Sequence, residues 1–113
     1  MKIVMPRGDI RPVQFSIQNP DGTNPEIEFD EIYFTVKQSY TKNDYYFQKR
    51  LSDGGIIKNE QGYYFRIEAE DTDRLKIGKY VFDIEVVLGE EIKQTFVGQL
   101  ELTNEVTFAI NEV

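Results

Sequence analysis

The sequence predicts an all-β fold, a two-sheet antiparallel sandwich, on three observations. Apolar and polar residues alternate with period two along most of the chain, turn-forming residues break that alternation at short intervals, and no stretch sustains a 3.6-residue period. The length agrees: 113 residues build one hydrophobic core but not two, so residues 1–113 are read as a single β-sandwich domain. With no cysteine in the chain, stability rests on packing, for which eight Phe and seven Tyr supply much of the apolar mass.

The elements follow in order. Val13, Phe15 and Ile17 alternate with Gln14, Ser16 and Gln18 as far as Asn19-Pro20-Asp21-Gly22, whose residue types favour a tight reversal. Ile32, Phe34 and Val36 alternate with Tyr33, Thr35 and Lys37 in a second strand. Tyr45 and Phe47 open a shorter third one, which Ser52-Asp53-Gly54-Gly55 ends and Ile56-Ile57 follows. After Asn59-Glu60-Gln61-Gly62, the residues Tyr63, Phe65, Ile67 and Ala69 share one face. The stretch from Glu70 to Gly78 is too polar for a strand and reads as a short helical turn near residues 71–77.

The longest alternation places Tyr80, Phe82, Ile84, Val86 and Leu88 opposite Val81, Asp83, Glu85 and Val87, which predicts a central strand. Gly89-Glu90-Glu91 then turns it into a hairpin with Ile92–Leu102, where Phe96, Leu100 and Leu102 keep one parity. Val106, Phe108 and Ile110 alternate once more, so the tail is expected to pair with the sheet or with a neighbour. The whole amounts to roughly seven to nine strands, the number a two-sheet sandwich uses.

Leu75, Gly78 and Tyr80 narrow the fold further. They stand where a polar turn feeds the long strand, the setting of the tyrosine corner of immunoglobulin-like domains. There a tyrosine hydroxyl bonds back to the upstream backbone and pins a crossover between sheets. The predicted fold is thus an immunoglobulin-like antiparallel β-sandwich, with Leu75 beneath the corner. Antibody-type domains are excluded, because the Cys pair and the Trp are missing.

Charge and composition remove several function classes. The formal charge is −7, with 20 acids against 13 bases, so neither a nucleic acid nor an anionic membrane is an expected partner. Lys2 is followed by only three apolar residues before Pro6, which is no signal peptide. With neither His nor Cys, catalytic triads of the familiar kinds are impossible. Ser16, Ser39 and Ser52 lack Gly-x-Ser-x-Gly surroundings.

Asp83 and Glu85 share one strand face, the arrangement carboxylate-based hydrolysis needs, but on an outward face they read as solvated surface. Glu70, Asp71, Asp73 and Asp53 are the hard-oxygen candidates for an ion. No Asp-x-Asp-x-Asp-Gly loop contains them, and Asp71 also reads as a helix cap. Neither a catalytic residue, a cofactor nor a metal site is therefore expected. Arg7-Gly8-Asp9 matches a tripeptide read by adhesion receptors, yet it sits where a turn before the first full strand is needed anyway. Tyr33, Tyr40, Tyr46 and Tyr64 lie out of phase with the core or in a loop, and are the candidate interface residues.

A wider pattern runs through Arg7-Gly8-Asp9 ahead of Val13-Gln14-Phe15-Ser16-Ile17, the Asp21-Gly22 turn, and Ile32-Tyr33-Phe34-Thr35-Val36-Lys37. It continues with Asp71-Thr72 ahead of Leu75-x-x-Gly78-x-Tyr80-x-Phe82-Asp83-Ile84, then Gln94-Thr95-Phe96 with Gly98, and Glu105-Val106-Thr107. Together these resemble the amino-terminal domain of phage baseplate upper proteins and related small tail proteins. The chain departs from that family at Glu26-Ile27-Glu28-Phe29-Asp30-Glu31, where a Leu-Thr-Gly-like step is usual, and its sequence closes with the domain.

The resemblance implies a non-enzymatic structural or assembly module of a phage or prophage tail or baseplate, located in the virion and assembled in the host bacterial cytoplasm. Its expected partners are other virion or tail proteins and further copies of itself. The competing expectation is a carbohydrate- or surface-binding immunoglobulin-like module of a bacterial adhesin or secreted enzyme, whose exposed aromatics would stack on sugar rings.

Overall fold

Residues 1–18, 21–23 and 28–104 are described by a computed structural model, which leaves the side chains of 92–94 aside. Among them the chain forms β1 (Lys2–Pro6), β2 (Arg11–Phe15), β3 (Glu31–Lys37), β4 (Phe47–Arg50), β5 (Ile56–Asn59), β6 (Gly62–Ile67), α1 (Ala69–Thr72), β7 (Gly78–Leu88) and β8 (Glu91–Thr103). These make a five-stranded sheet, β1-β8-β7-β3-β4, and a three-stranded sheet, β2-β6-β5. Strands β2, β6 and β5 stand where B, E and D stand in an immunoglobulin-like sandwich, and β8, β7 and β3 where G, F and C stand.

Strand β7 is the middle of the larger sheet and runs antiparallel to both neighbours. Its buried residues Tyr80, Phe82, Ile84 and Val86 line one face, and Ile32, Phe34 and Val36 of β3 and Leu100 and Leu102 of β8 extend it. Val13, Phe15, Ile56, Tyr63, Phe65 and Ile67 answer from the smaller sheet. Phe34, fully buried, is the hub: its ring lies 4.4 Å from Phe65 across the sandwich and 5.1 Å from Phe82 beside it. Such pairs contribute about 0.5–1.5 kcal/mol each beyond area burial.

Local features depart from expectation, among them Tyr45, which is 50% exposed and precedes β4. Lys2–Pro6 is a strand, paired in parallel with Gln99–Thr103 and burying Ile3 and Met5; five residues ending in proline carry too short an alternation to stand out in sequence. The helix occupies Ala69–Thr72 rather than 71–77, because a capping box starts it earlier: Glu68 is the N-cap and Asp71 the N3 residue, whose Oδ2 accepts from the Glu68 backbone N–H at 2.7 Å. Ala69 therefore opens the helix instead of ending β6. The Val106–Ile110 alternation lies outside the described residues.

Two glycines answer to close approach. Gly62 combines φ +129° with a backbone passing so near Phe15 O and Ser16 that no Cβ fits. Gly98 faces inward opposite Phe82, and a Cβ there meets both the Phe82 ring and the carbonyl of Met1. Gly98→Ala is therefore expected to cost about 1–3 kcal/mol by overpacking, read as a lowered midpoint in urea denaturation; an unchanged midpoint would show that β1 moves aside freely.

Candidate functional site

The sequence-predicted corner is a junction of two crossovers. Tyr80 Oη donates to Lys76 O at 2.6 Å, the backbonding geometry of a tyrosine corner, while Leu75 is buried below it. Gly78 sits between them with φ +147° and open space around it, so its conformation rather than crowding selects glycine. From the β1–β2 crossover, Arg7 Nη1 donates to Leu75 O at 3.3 Å and Gly8 N–H donates to Oγ1 of the wholly buried Thr72 at 2.9 Å. Arg7-Gly8-Asp9 is thus a turn bound to the corner, with its arginine half-buried.

The four tyrosines are not gathered into one patch. Tyr33 lies on the outer face of the larger sheet, with Arg50 stacked 5.5 Å from its ring centre, whereas Tyr64 lies on the outer face of the smaller sheet. Tyr40, half exposed, reaches from the loop after β3 past β7 to β8, where it donates to Gly98 O at 2.8 Å. Tyr46 packs edge-on against Tyr80 at 5.3 Å and donates to Gln38 Oε1 at 2.9 Å. The structure therefore brings Tyr46 to the corner and leaves Tyr33 and Tyr64 on opposite sides of the sandwich. Period-two parity assigns a residue to a face but not to a sheet.

The acids divide in the same way. Asp71 forms a 2.6 Å ion pair with Lys49, both largely buried, tying the edge strand β4 to α1. Asp53 accepts from the Gly55 backbone N–H at 2.8 Å, in the turn between β4 and β5. Among the described residues no three acids are grouped as metal ligands. Asp83 and Glu85 project from the outer face of β7. Burial raises the Asp83 pKa, and the charge of Lys37 partly offsets the shift.

Beside the corner opens a cleft of about 440 Å³ whose charged lining is entirely cationic: Arg74, Lys76 and Lys79, with Gln38, Tyr46 and Ile77 around them. These three bases are exposed and form no ion pair among the described residues. Sequence reading passed over the cleft. Its signal was Arg74-x-Lys76-x-x-Lys79, three bases within six positions of a chain carrying −7.

The corner and the partly desolvated Asp83 carboxyl each make a prediction. Burial, and then the neighbouring Tyr46, raise the Tyr80 pKa. The folded state thus holds this proton more tightly than the unfolded state. The resulting stability is fully present below about pH 10 and is lost as pH climbs through the raised value. Tyr80→Phe is expected to lose about 1 kcal/mol at neutral pH with the Lys76 bond, and to show a shallower alkaline decline in denaturation midpoint; Tyr63, whose pKa burial also raises, contributes to the decline that remains. For Asp83 the stability held by the neutral form is complete below the ordinary aspartate value near about 3.9 and is lost as pH rises through the raised one. Asp83→Asn, neutral throughout, is expected to be more stable than the natural chain at neutral pH, by a margin that closes in strong acid; a margin independent of pH would contradict this.

Compared with known proteins, the chain matches no family model, no curated protein and no solved structure.

Proposed function

We propose that this domain is a non-enzymatic structural module of a phage or prophage tail or baseplate, working through contacts with other virion proteins and with copies of itself. The observation that carries the reading is an open strand edge. Among the described residues β1 pairs with Gln99–Thr103, and no strand lies beside the outer edge of Ile92–Val97. A sheet edge that no described strand covers invites a strand from another chain.

The surroundings support the same reading. A groove of about 350 Å³ lined by Met1, Phe15, Phe82, Phe96 and Val97 runs along this edge, and Val97 and Val4 are 57% and 45% exposed on the outer face of the same sheet. By contrast, the polar side chains of the interior are engaged within the framework: Thr72 holds Gly8, Lys49 holds Asp71, and Thr35 accepts from Gln48. A surface of apolar strand edges suits assembly better than turnover.

The reading predicts that particles released from a lysogenic host contain this chain in stoichiometric amount, measured by mass spectrometry of gradient-purified virions and by antibody labelling at the tail tip. Its absence from purified particles would refute the assignment.

A further inference from the structure

The strands lead to two poles, one with a cationic cleft and the other acidic. One is the corner pole, where β3 ends and β7 begins and where Arg74, Lys76 and Lys79 line the cleft. At the other, β3 begins and the β7–β8 and β5–β6 turns fall. It carries Asp21, Glu28, Asp30, Glu60 and Glu90, all exposed. This pole is one built surface: Asp30 Oδ2 accepts from the Gly89 backbone N–H, joining the approach to β3 to the β7–β8 turn, and the Phe29 ring packs against Tyr63 beside the β5–β6 turn.

The two surfaces cannot meet within one molecule. The eleven residues of β7 separate them, on the order of 35 Å at the usual rise per residue, several times the screening length of about 8 Å at physiological salt. The acidic pole can therefore reach the cleft only from another molecule. The cleft supplies three cations that form no ion pair among the described residues, in a concavity with no acid in its lining, and the acidic pole projects as loops from the far end of the same chain.

We propose that the corner cleft receives the acidic loop pole of a second copy, so that the chain associates head to tail through charge complementarity. The inference rests on the reading above that the domain acts through contacts with its own copies, and it names the surfaces. Each copy presents two different patches, a heterologous contact that makes a ring where the rotation closes and a filament where it does not. Association is steered by opposite charge and weakens as salt rises.

Sedimentation of the full chain at low and high salt tests this with two charge reversals. One replaces the cleft bases (Arg74→Glu, Lys76→Glu, Lys79→Glu); the other replaces acids that make no internal hydrogen bond among the described residues (Glu28→Lys, Glu60→Lys, Glu90→Lys). The natural chain is expected to sediment as an oligomer at low salt and as a monomer at high salt, and each reversed variant as a monomer at both. An equimolar mixture of the two variants restores assembly, because every cleft again faces a pole of opposite sign. Lys2→Glu, which alters charge away from both the cleft and the acidic pole, leaves assembly intact.

A monomer at low salt, or an oligomer indifferent to both reversals, overturns the proposal. Unfolding of a variant is detected by circular dichroism, and the salt dependence of the natural chain then decides. The two readings fail separately: a monomeric chain found in virions overturns only the head-to-tail contact, and a self-associating chain absent from virions overturns only the tail assignment.

Discussion

Two passages between the sheets are held at one point. The β1–β2 turn leaves the larger sheet for the smaller one, the α1 segment returns from the smaller sheet to the larger, and the two meet where Arg7 bonds Leu75 O, Gly8 bonds Thr72 and Tyr80 bonds Lys76 O. A sandwich without disulfides has no covalent means of setting the offset between its layers. Here that offset is set by hydrogen bonds in which a fully buried threonine and a buried tyrosine satisfy backbone groups that would otherwise lose their water. Position by position, the ring cluster around Phe34 depends on this register, because Phe34 meets Phe65 across the layers only if β3 and β6 are held at the same height.

The corner also shapes the exterior. Tyr80 turned back toward Lys76 carries the Arg74–Lys79 segment along the rim, so its bases flank the cleft while Leu75 goes inward. At the other end, the Asp30–Gly89 bond holds two acidic turns together. A molecule with an excess of acid thus keeps a cationic cleft. Net charge alone describes this surface poorly.

Much of the architecture was readable because strands report their own burial. Phe82, Ile84 and Val86 repeat every second residue in the longest run, and that run is the centre of the larger sheet. Tyr80 and Leu75 were readable because the corner is local: donor and acceptor lie four residues apart. What escaped was set by distant partners. β1 is a strand by virtue of β8, about a hundred residues away in sequence. The helix start depends on Asp71 reaching back to Glu68 while also meeting Lys49 from another strand. Arg7-Gly8-Asp9 resembles a recognition sequence in isolation, yet in the fold its atoms hold a crossover.

The sequence by itself determined the fold class, the central strand and the corner, because period-two burial and short-range backbonding are properties of neighbouring residues. Tertiary structure alone decided where each tyrosine lies, how far β1 runs along β8, and that Arg74, Lys76 and Lys79 share a cleft facing away from the acidic turns. Those outcomes depend on strand order and on the offset between layers, and both are settled by contacts between residues that the linear sequence keeps far apart.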